Sequence, residues 1–571
     1  MFSISTPLSV LAASLLLLCT GCANLHESHG HAPGSTEYYT VTAELALARG
    51  EAHTAAVQYA AAADSEAVDR ELLKRATEVA NQTLQPSIAS KVATRWVSVE
   101  PTSLDARRAA ARAALTLYHI DAAAIHYRAL LAATPEGVDA GFADLESELT
   151  SDENVFGARA LADRLASFYP NSAAARRVAG LTALRADDPA AAARNLGLAM
   201  AGAQKDKPAS SSDDADARHE LTQILWRARV LAGDVEQPLG EAAKRLKDDE
   251  SAANRFDYAV LLMTAQRDSA AIEQLNLLAD KSESKPAALR LLGLIEFQQG
   301  HFDAASAHFR QVLKTGKFSD DAFYYLAVMA DRNGDSDKAL KLYSQVQHGE
   351  NVFPSLLRAT ALLHEHGAPA AAEDLLDRLL DDEPARVPEI LNARARMYAE
   401  GGDYAKAAAL LQKSVEEYPD NVDLKYAQAS IFEDQGKIDA ALNALGEIVK
   451  VRPDDPAALN ALGFTLADHN KSLSKARKLI ERAHDAAPKN AAILDSLGWV
   501  LFRQGHEVEA LPYLSEAYAD DRSGDIAAHL GEVLWRQGKR DEAQRIWAQA
   551  AVVDADNKLL KSTRQRLQAA N

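Results

Sequence analysis

The sequence predicts an all-α protein, a right-handed superhelical solenoid of about fifteen helix-turn-helix units. Three observations carry that prediction. Small and apolar landmarks recur with a period of about 34 residues along most of the 571-residue chain. Alanine is abundant while aromatics make up only 6%, and there are few alternating Val, Ile, Thr and Tyr runs of the kind that form strands. The length exceeds what one hydrophobic core supports, so the chain grows by stacking units. A formal charge of -19 argues against the basic footprint that nucleic acid or an anionic membrane patch requires.

The N-terminus comes first. Residues 7–21, PLSVLAASLLLLCTG, form an apolar run too short to span a bilayer, closed by small residues before Cys22. We read residues 1–21 as a signal peptide. Leu18-Cys19-Thr20-Gly21-Cys22 resembles the lipobox of bacterial lipoproteins, which implies acylation of Cys22, and Ala23 at the following position implies sorting to the outer membrane with the body in the periplasm. A plain secretory signal and a C-x-x-C redox pair are the alternatives, but a leader that is removed offers no folded site for redox thiols. Residues 22–37 read as a flexible tether. His26, His29 and His31 sit close together on it without a second shell to orient them, so no metal site is assigned.

The repeats are clearest at the C-terminal end. Leu494, Leu497, Gly498 and Leu501 mark a first helix, Gly505 a turn, and Ala510, Leu514 and Ala517 a second helix. The frame recurs as Ala527, Leu530, Gly531, Leu534, Gly538, Ala543, Trp547 and Ala550, and upstream as Leu459, Leu462, Gly463, Leu466, Ala476, Ile480, Ala483 and Pro488. Further upstream the eighth-position anchor falls on Ala429, Ala395, Thr360, Ala327, Gly293 and Ala259. Prolines 384, 419, 453 and 488 close second helices. Small residues at these positions let paired backbones approach, while Leu and aromatic side chains fill the flanking holes. This pattern resembles the tetratricopeptide repeat.

The N-terminal half carries a degenerate form of the frame. Ala43, Gly50, Ala55 and Tyr59 fit it, and further anchors fall near Ala76, Ala110, Glu146, Gly180 and Leu225. The sequence therefore divides into an N-terminal degenerate array over 38–201, a polar loop over 202–217, a second array over 218–557 and a capping helix over 558–571. Stacking of the repeats is expected to give about two superhelical turns.

The segments NALGFTLADHNKSLSKARKLIERAHDAAPKNAAILDSLGWVLFRQGHEVEALPYLSEAYADD, IAAHLGEVLWRQGKRDEAQRIWAQA and YYTVTAELALARGE resemble a family of large proteobacterial tetratricopeptide lipoproteins. One characterised type is an outer-membrane adaptor that binds and activates a periplasmic carboxyl-terminal processing protease and delivers substrates such as peptidoglycan hydrolases. The resemblance implies protein partners of that kind and a lipid anchor in the outer membrane; no cofactor is expected, since no cofactor-binding motif occurs in the sequence. The alternative is an assembly factor for pilus, secretion or exopolysaccharide export machinery, a role other tetratricopeptide lipoproteins fill.

In such repeats the second, fifth, ninth and twelfth positions of each first helix share one face and line a groove. In the last three clear units these positions carry Asn460 and Phe464, then Asp495, Trp499 and Phe502, then Asp525, Glu532 and Trp535. Rings beside acidic and amide groups suit a peptide partner. The alternative is that Trp499 and Phe502 pack between adjacent units as core. No phosphate loop, GxSxG elbow, HExxH helix or zinc-spaced cluster occurs, and His364-Glu365-His366 lacks a second ligand spacing, so the chain is read as a non-enzyme.

Overall fold

The computed structural model describes residues 34–65, 68–152, 154–206, 212–280, 283–554 and 557–569. Among these residues there are 31 α-helices and one short 3₁₀ turn, and no strand. In chain order the helices fall into fifteen consecutive twosomes followed by a final helix, Lys558–Ala569; most pack as pairs, but Val138–Ser151 packs mainly on Ala173–Arg185 and Val155–Phe168 on Ile120–Ala133.

Local chemistry sets the ends of the helices. Several first helices start at polar caps whose side-chain oxygen accepts an orphan amide: Ser103 from Ala106, Ser172 from Ala175, Asn421 from Leu424, and Asn490 from Ile493. Except between helices Val138–Ser151 and Val155–Phe168, the turn inside a pair is closed by a residue in the left-handed region. Glycine supplies it at Gly300 (φ +77°) and Gly505 (φ +86°) without strain. The same turn position holds Leu84 (φ 57°), Tyr118 (φ 61°), Asp187 (φ 56°), Gln266 (φ 56°) and Asn470 (φ 54°). The N-terminal repeats therefore keep the backbone conformation while lacking its sequence mark.

The core runs through the array as a chain of small clusters. Within a pair, the small eighth residue of the first helix faces the large residue at position 24 on the second. A Cβ on Gly498 would lie 2.5 Å from Leu514 Cγ, and one on Gly463 2.6 Å from Ile480 Cγ1. Ala510, Leu514, Ala517, Ala543, Trp547 and Ala550 are all fully buried. The sequence frame is corrected at Glu146. That residue is half-buried and takes Arg177 through two hydrogen bonds of 2.8 and 3.0 Å, while the close approach in its helix is made by Gly141 against Leu131 and Thr134.

Three boundaries shift. The expected loop over 202–217 is helical at both ends, because helix Pro189–Asp206 continues through the first part and helix Ser212–Leu231 begins with Ser212, Asp213 and Asp214, residue types that favour a helix start. The tether ends at Ser35, which caps helix Thr36–Ala48. The last helix, Lys558–Ala569, buries Leu560, Thr563 and Leu567.

The path of the array also returns on itself. Hydrogen bonds join residues 332, 333 and 336 positions apart. That constant offset amounts to about ten repeats per turn, so fifteen pairs make about one and a half turns, fewer than the expected two.

Candidate protein-interaction face

The predicted groove residues lie on three consecutive first helices, Pro456–Asp468, Ala491–Arg503 and Gly524–Arg536. These helices pack side by side closely enough that part of their shared face is closed.

Asp495 is buried and lies 2.9 and 3.0 Å, through its two carboxylate oxygens, from Nδ1 of the buried His529. The His529 ring stacks on Trp499 with centroids 4.1 Å apart, and Phe464 tilts against it at 5.8 Å. Trp499 is itself only 6% exposed and donates Nε1–H to Asp468 at 3.1 Å. Phe502 leans on Trp499 at 5.2 Å, and Arg503 donates to the Asp468 carbonyl at 2.6 Å. In the next repeat the buried Glu532 accepts two hydrogen bonds from Arg566 of the last helix, at 2.5 and 3.1 Å. Burial by itself would lower the His529 imidazole. The Asp495 carboxylate, through its charge and its hydrogen bond, with Asp468 and Asp525 behind it, outweighs that and holds His529 above its ordinary value.

Asp495, Trp499 and Glu532 are thus inter-repeat contacts, each committed to a neighbouring helix, which for Trp499 is the packing alternative the sequence offered. The others remain accessible in part. Phe464, Phe502, Asn460 and Trp535 are half-buried, and Asp525 is exposed, accepting from Asn557 at 3.0 Å. Trp535 lies over Trp547 with centroids 5.5 Å apart. The remaining aromatic edges and Asp525 flank a closed polar seam in place of a continuous groove.

Two kinds of residue escaped the sequence reading. His529 and Arg566 are the partners that close Asp495 and Glu532. A glutamine at position 14, just before the turn glycine, is the other: Gln435, Gln504 and Gln537 donate to carbonyls of Tyr404, Leu473 and Glu507 at 3.2, 3.3 and 2.8 Å, stapling each repeat to the one before. The recurring Gln-Gly dipeptide was its signal. Upstream, the face carries a similar ladder: Arg290 donates to Asp321, which also accepts from Asn351 at 3.0 Å. Glu433 meets His469 at 3.4 Å, with burial pushing its carboxyl up against the opposing pull of that histidine.

The His364-Glu365-His366 run has other uses. Glu365 pairs with Arg358 at 2.8 Å, and His366 Nδ1 lies 2.8 Å from the Leu362 carbonyl. Among the described residues no group of three or more His, Cys, Asp or Glu could hold a metal ion, and no helix is long and apolar enough to cross a membrane. Cys22, His26, His29 and His31 lie outside the described residues.

Paired helices, recurring small-against-large contacts within pairs and polar staples between pairs define a helical repeat array of the kind that binds other proteins through its surface. Residues 290–350 and 356–422, and with a second pattern 398–463, match the tetratricopeptide repeat. It is 33% identical over 213 residues to the TPR repeat-containing protein PA4667 of Pseudomonas aeruginosa, covering 37% of this chain and 36% of that one. It is 28% identical over 239 residues to cellulose synthase operon protein C of Pseudomonas fluorescens, covering 39% of this chain and 18% of that one. The matched regions therefore span about a third or less of these relatives. Among solved structures, yeast Tom70 aligns over 94% of this chain and 95% of its own at 14% identity and a TM-score of 0.33. A thermophilic TPR protein of Thermus thermophilus aligns over 32% of this chain and 98% of its own at 20% identity and a TM-score of 0.29.

Proposed function

We propose that this protein is a lipid-anchored scaffold on the periplasmic face of the outer membrane, which binds and activates a carboxyl-terminal processing protease and presents substrates such as peptidoglycan hydrolases to it. The observation that carries this reading is the half-open edge of the last repeats. Phe464, Phe502 and Trp535 offer ring surface beside the exposed Asp525, in the stretch whose sequence also resembles the adaptor lipoproteins. Rings held from below by buried partners are pre-organised anchors, because little side-chain freedom is left to lose on binding. The Cys22 lipobox supports the anchoring part of the reading.

The test is reconstitution. Added to a purified carboxyl-terminal processing protease, the mature chain is expected to raise the hydrolysis rate of a peptidoglycan hydrolase substrate saturably, and Phe464→Ala with Trp535→Ala to shift that saturation to higher concentration. No stimulation by the wild-type chain rejects the adaptor role. The likeness to cellulose synthase operon protein C favours a second reading, an assembly factor for envelope export machinery. Binding to components of such machinery, with no effect on the protease, is its expected signature.

A further inference from the structure

Where the array returns on itself, turns inside the first three helix pairs meet loops that follow the eleventh and twelfth. Glu417, the last residue of helix Tyr404–Glu417, accepts from the His53 amide at 2.9 Å, and its carbonyl accepts from Gln85 Nε2 at 2.7 Å. Asp420 accepts from the Ser87 amide at 2.8 Å and from its hydroxyl at 2.6 Å. One repeat further on, Arg452 donates to the Thr116 carbonyl at 2.9 Å, and Tyr118 is half-buried near Asp455 and Asp454; burial, with those two carboxylates, pushes its phenol up.

The chemistry of the first two contacts is specific. His53 and Ser87 lie in the first turns of helices Ala52–Ala63 and Pro86–Val99, whose preceding residues, Glu51 and Gln85, supply no side-chain cap. Their first amides are orphans beside the positive end of a helix dipole. Glu417 and Asp420 therefore act as N-caps supplied from one superhelical turn away.

The rest of the seam is poorly satisfied. Arg452 Nε and the Tyr426 hydroxyl, which lies near Asp455 and Arg452, are buried without a hydrogen-bond partner. At the far end Asp520 is held up by burial and by the neighbouring Asp187 and Glu516 carboxylates, only partly offset by Lys489. Apolar support comes from Phe156, half-buried against the C-terminal core. Successive repeats, by contrast, share continuous apolar clusters. A mainly polar contact between large bodies, with like charges facing each other, holds them less firmly than the apolar contacts between successive repeats.

We propose that this seam is a releasable latch, in which Glu417 and Asp420 cap two helices of the first repeats in trans, and that its release separates the early repeats from the late ones without unfolding either. Two variants of the full mature chain test it. Glu417→Ala with Asp420→Ala removes both trans caps. Ser87→Glu adds a carboxylate that suits its own helix start but faces Asp420 across the seam. Both are expected to leave helical circular dichroism unchanged, to enlarge the radius of gyration in X-ray scattering, and to speed amide exchange at His53 and Ser87 by about fivefold or more. Asp439→Ala, which removes only an exposed partner of Lys471 within one turn, is expected to change none of these. Unchanged scattering and exchange in both seam variants overturns the latch. So does loss of helical content in both, which would make the seam part of the core.

Discussion

A single added methyl group should have opposite effects at two helix-interior glycines. At Gly446, inside helix Ile438–Val451, an added Cβ meets nothing within 4 Å, so Gly446→Ala gains the helix propensity of alanine, about 1 kcal/mol. At Gly531 the same Cβ falls inside the indole of Trp547, which is fully buried and has no room to withdraw. Overpacking of that kind costs about 1–3 kcal/mol. Less the same propensity gain, Gly531→Ala comes out neutral to about 2 kcal/mol destabilising. The contrast between the two variants is then the packing cost itself, about 5- to 150-fold in a local opening equilibrium. Native-state hydrogen exchange reads each helix pair separately, which suits a repeat array whose unfolding need not be one transition. Protection in helix Gly524–Arg536 should fall for Gly531→Ala, and protection in Ile438–Val451 should rise for Gly446→Ala. Shifts of the same sign and size in both would refute the claim that small residues at the eighth position are set by the facing side chain.

Other substitutions probe other links. Gln266 is exposed and held at φ 56°, so Gln266→Gly should stabilise its repeat by about 1 kcal/mol, read as a later urea midpoint. Trp499→Ala should cost about 3–5 kcal/mol of local stability, because the ring is buried between repeats; an unaltered urea transition would return Trp499 to the groove. His529 titrates above its ordinary value when folded, so its pairing with Asp495 contributes fully below the unfolded pKa of about 6.5 and is lost as pH rises through the folded one. Wild-type stability should therefore decline toward alkaline pH more steeply than that of His529→Gln, and equal slopes in urea titrations would remove the pair from the account.

The repeat frame was legible because its landmarks are local. Gly498 and Leu514, or Gly531 and Trp547, are sixteen positions apart and meet within one helix pair, so each unit carries its own record. The N-terminal half was harder to read because Leu84, Tyr118 and Asp187 adopt the turn conformation without being glycine, a strain that packing of the repeats on either side overrides. Position within a repeat put Trp499, Asp495 and Glu532 on one helix face. It did not reveal that His529 and Arg566, both 34 residues from the carboxylates they bind, would close that face. The contacts of Glu417, Asp420 and Arg452 link residues more than 300 positions apart, depend on the accumulated rotation of ten units and leave no local signal.

The central claim, that the open edge of the last repeats holds a protein partner, is tested most directly by affinity purification of the tagged chain from envelope extracts, with mass spectrometry of what stays bound. The account predicts recovery of a carboxyl-terminal processing protease together with a peptidoglycan hydrolase, and loss of both when Phe464 and Trp535 are changed to Ala. Recovery of no protease, or of secretion, pilus or polysaccharide machinery in its place, would contradict it.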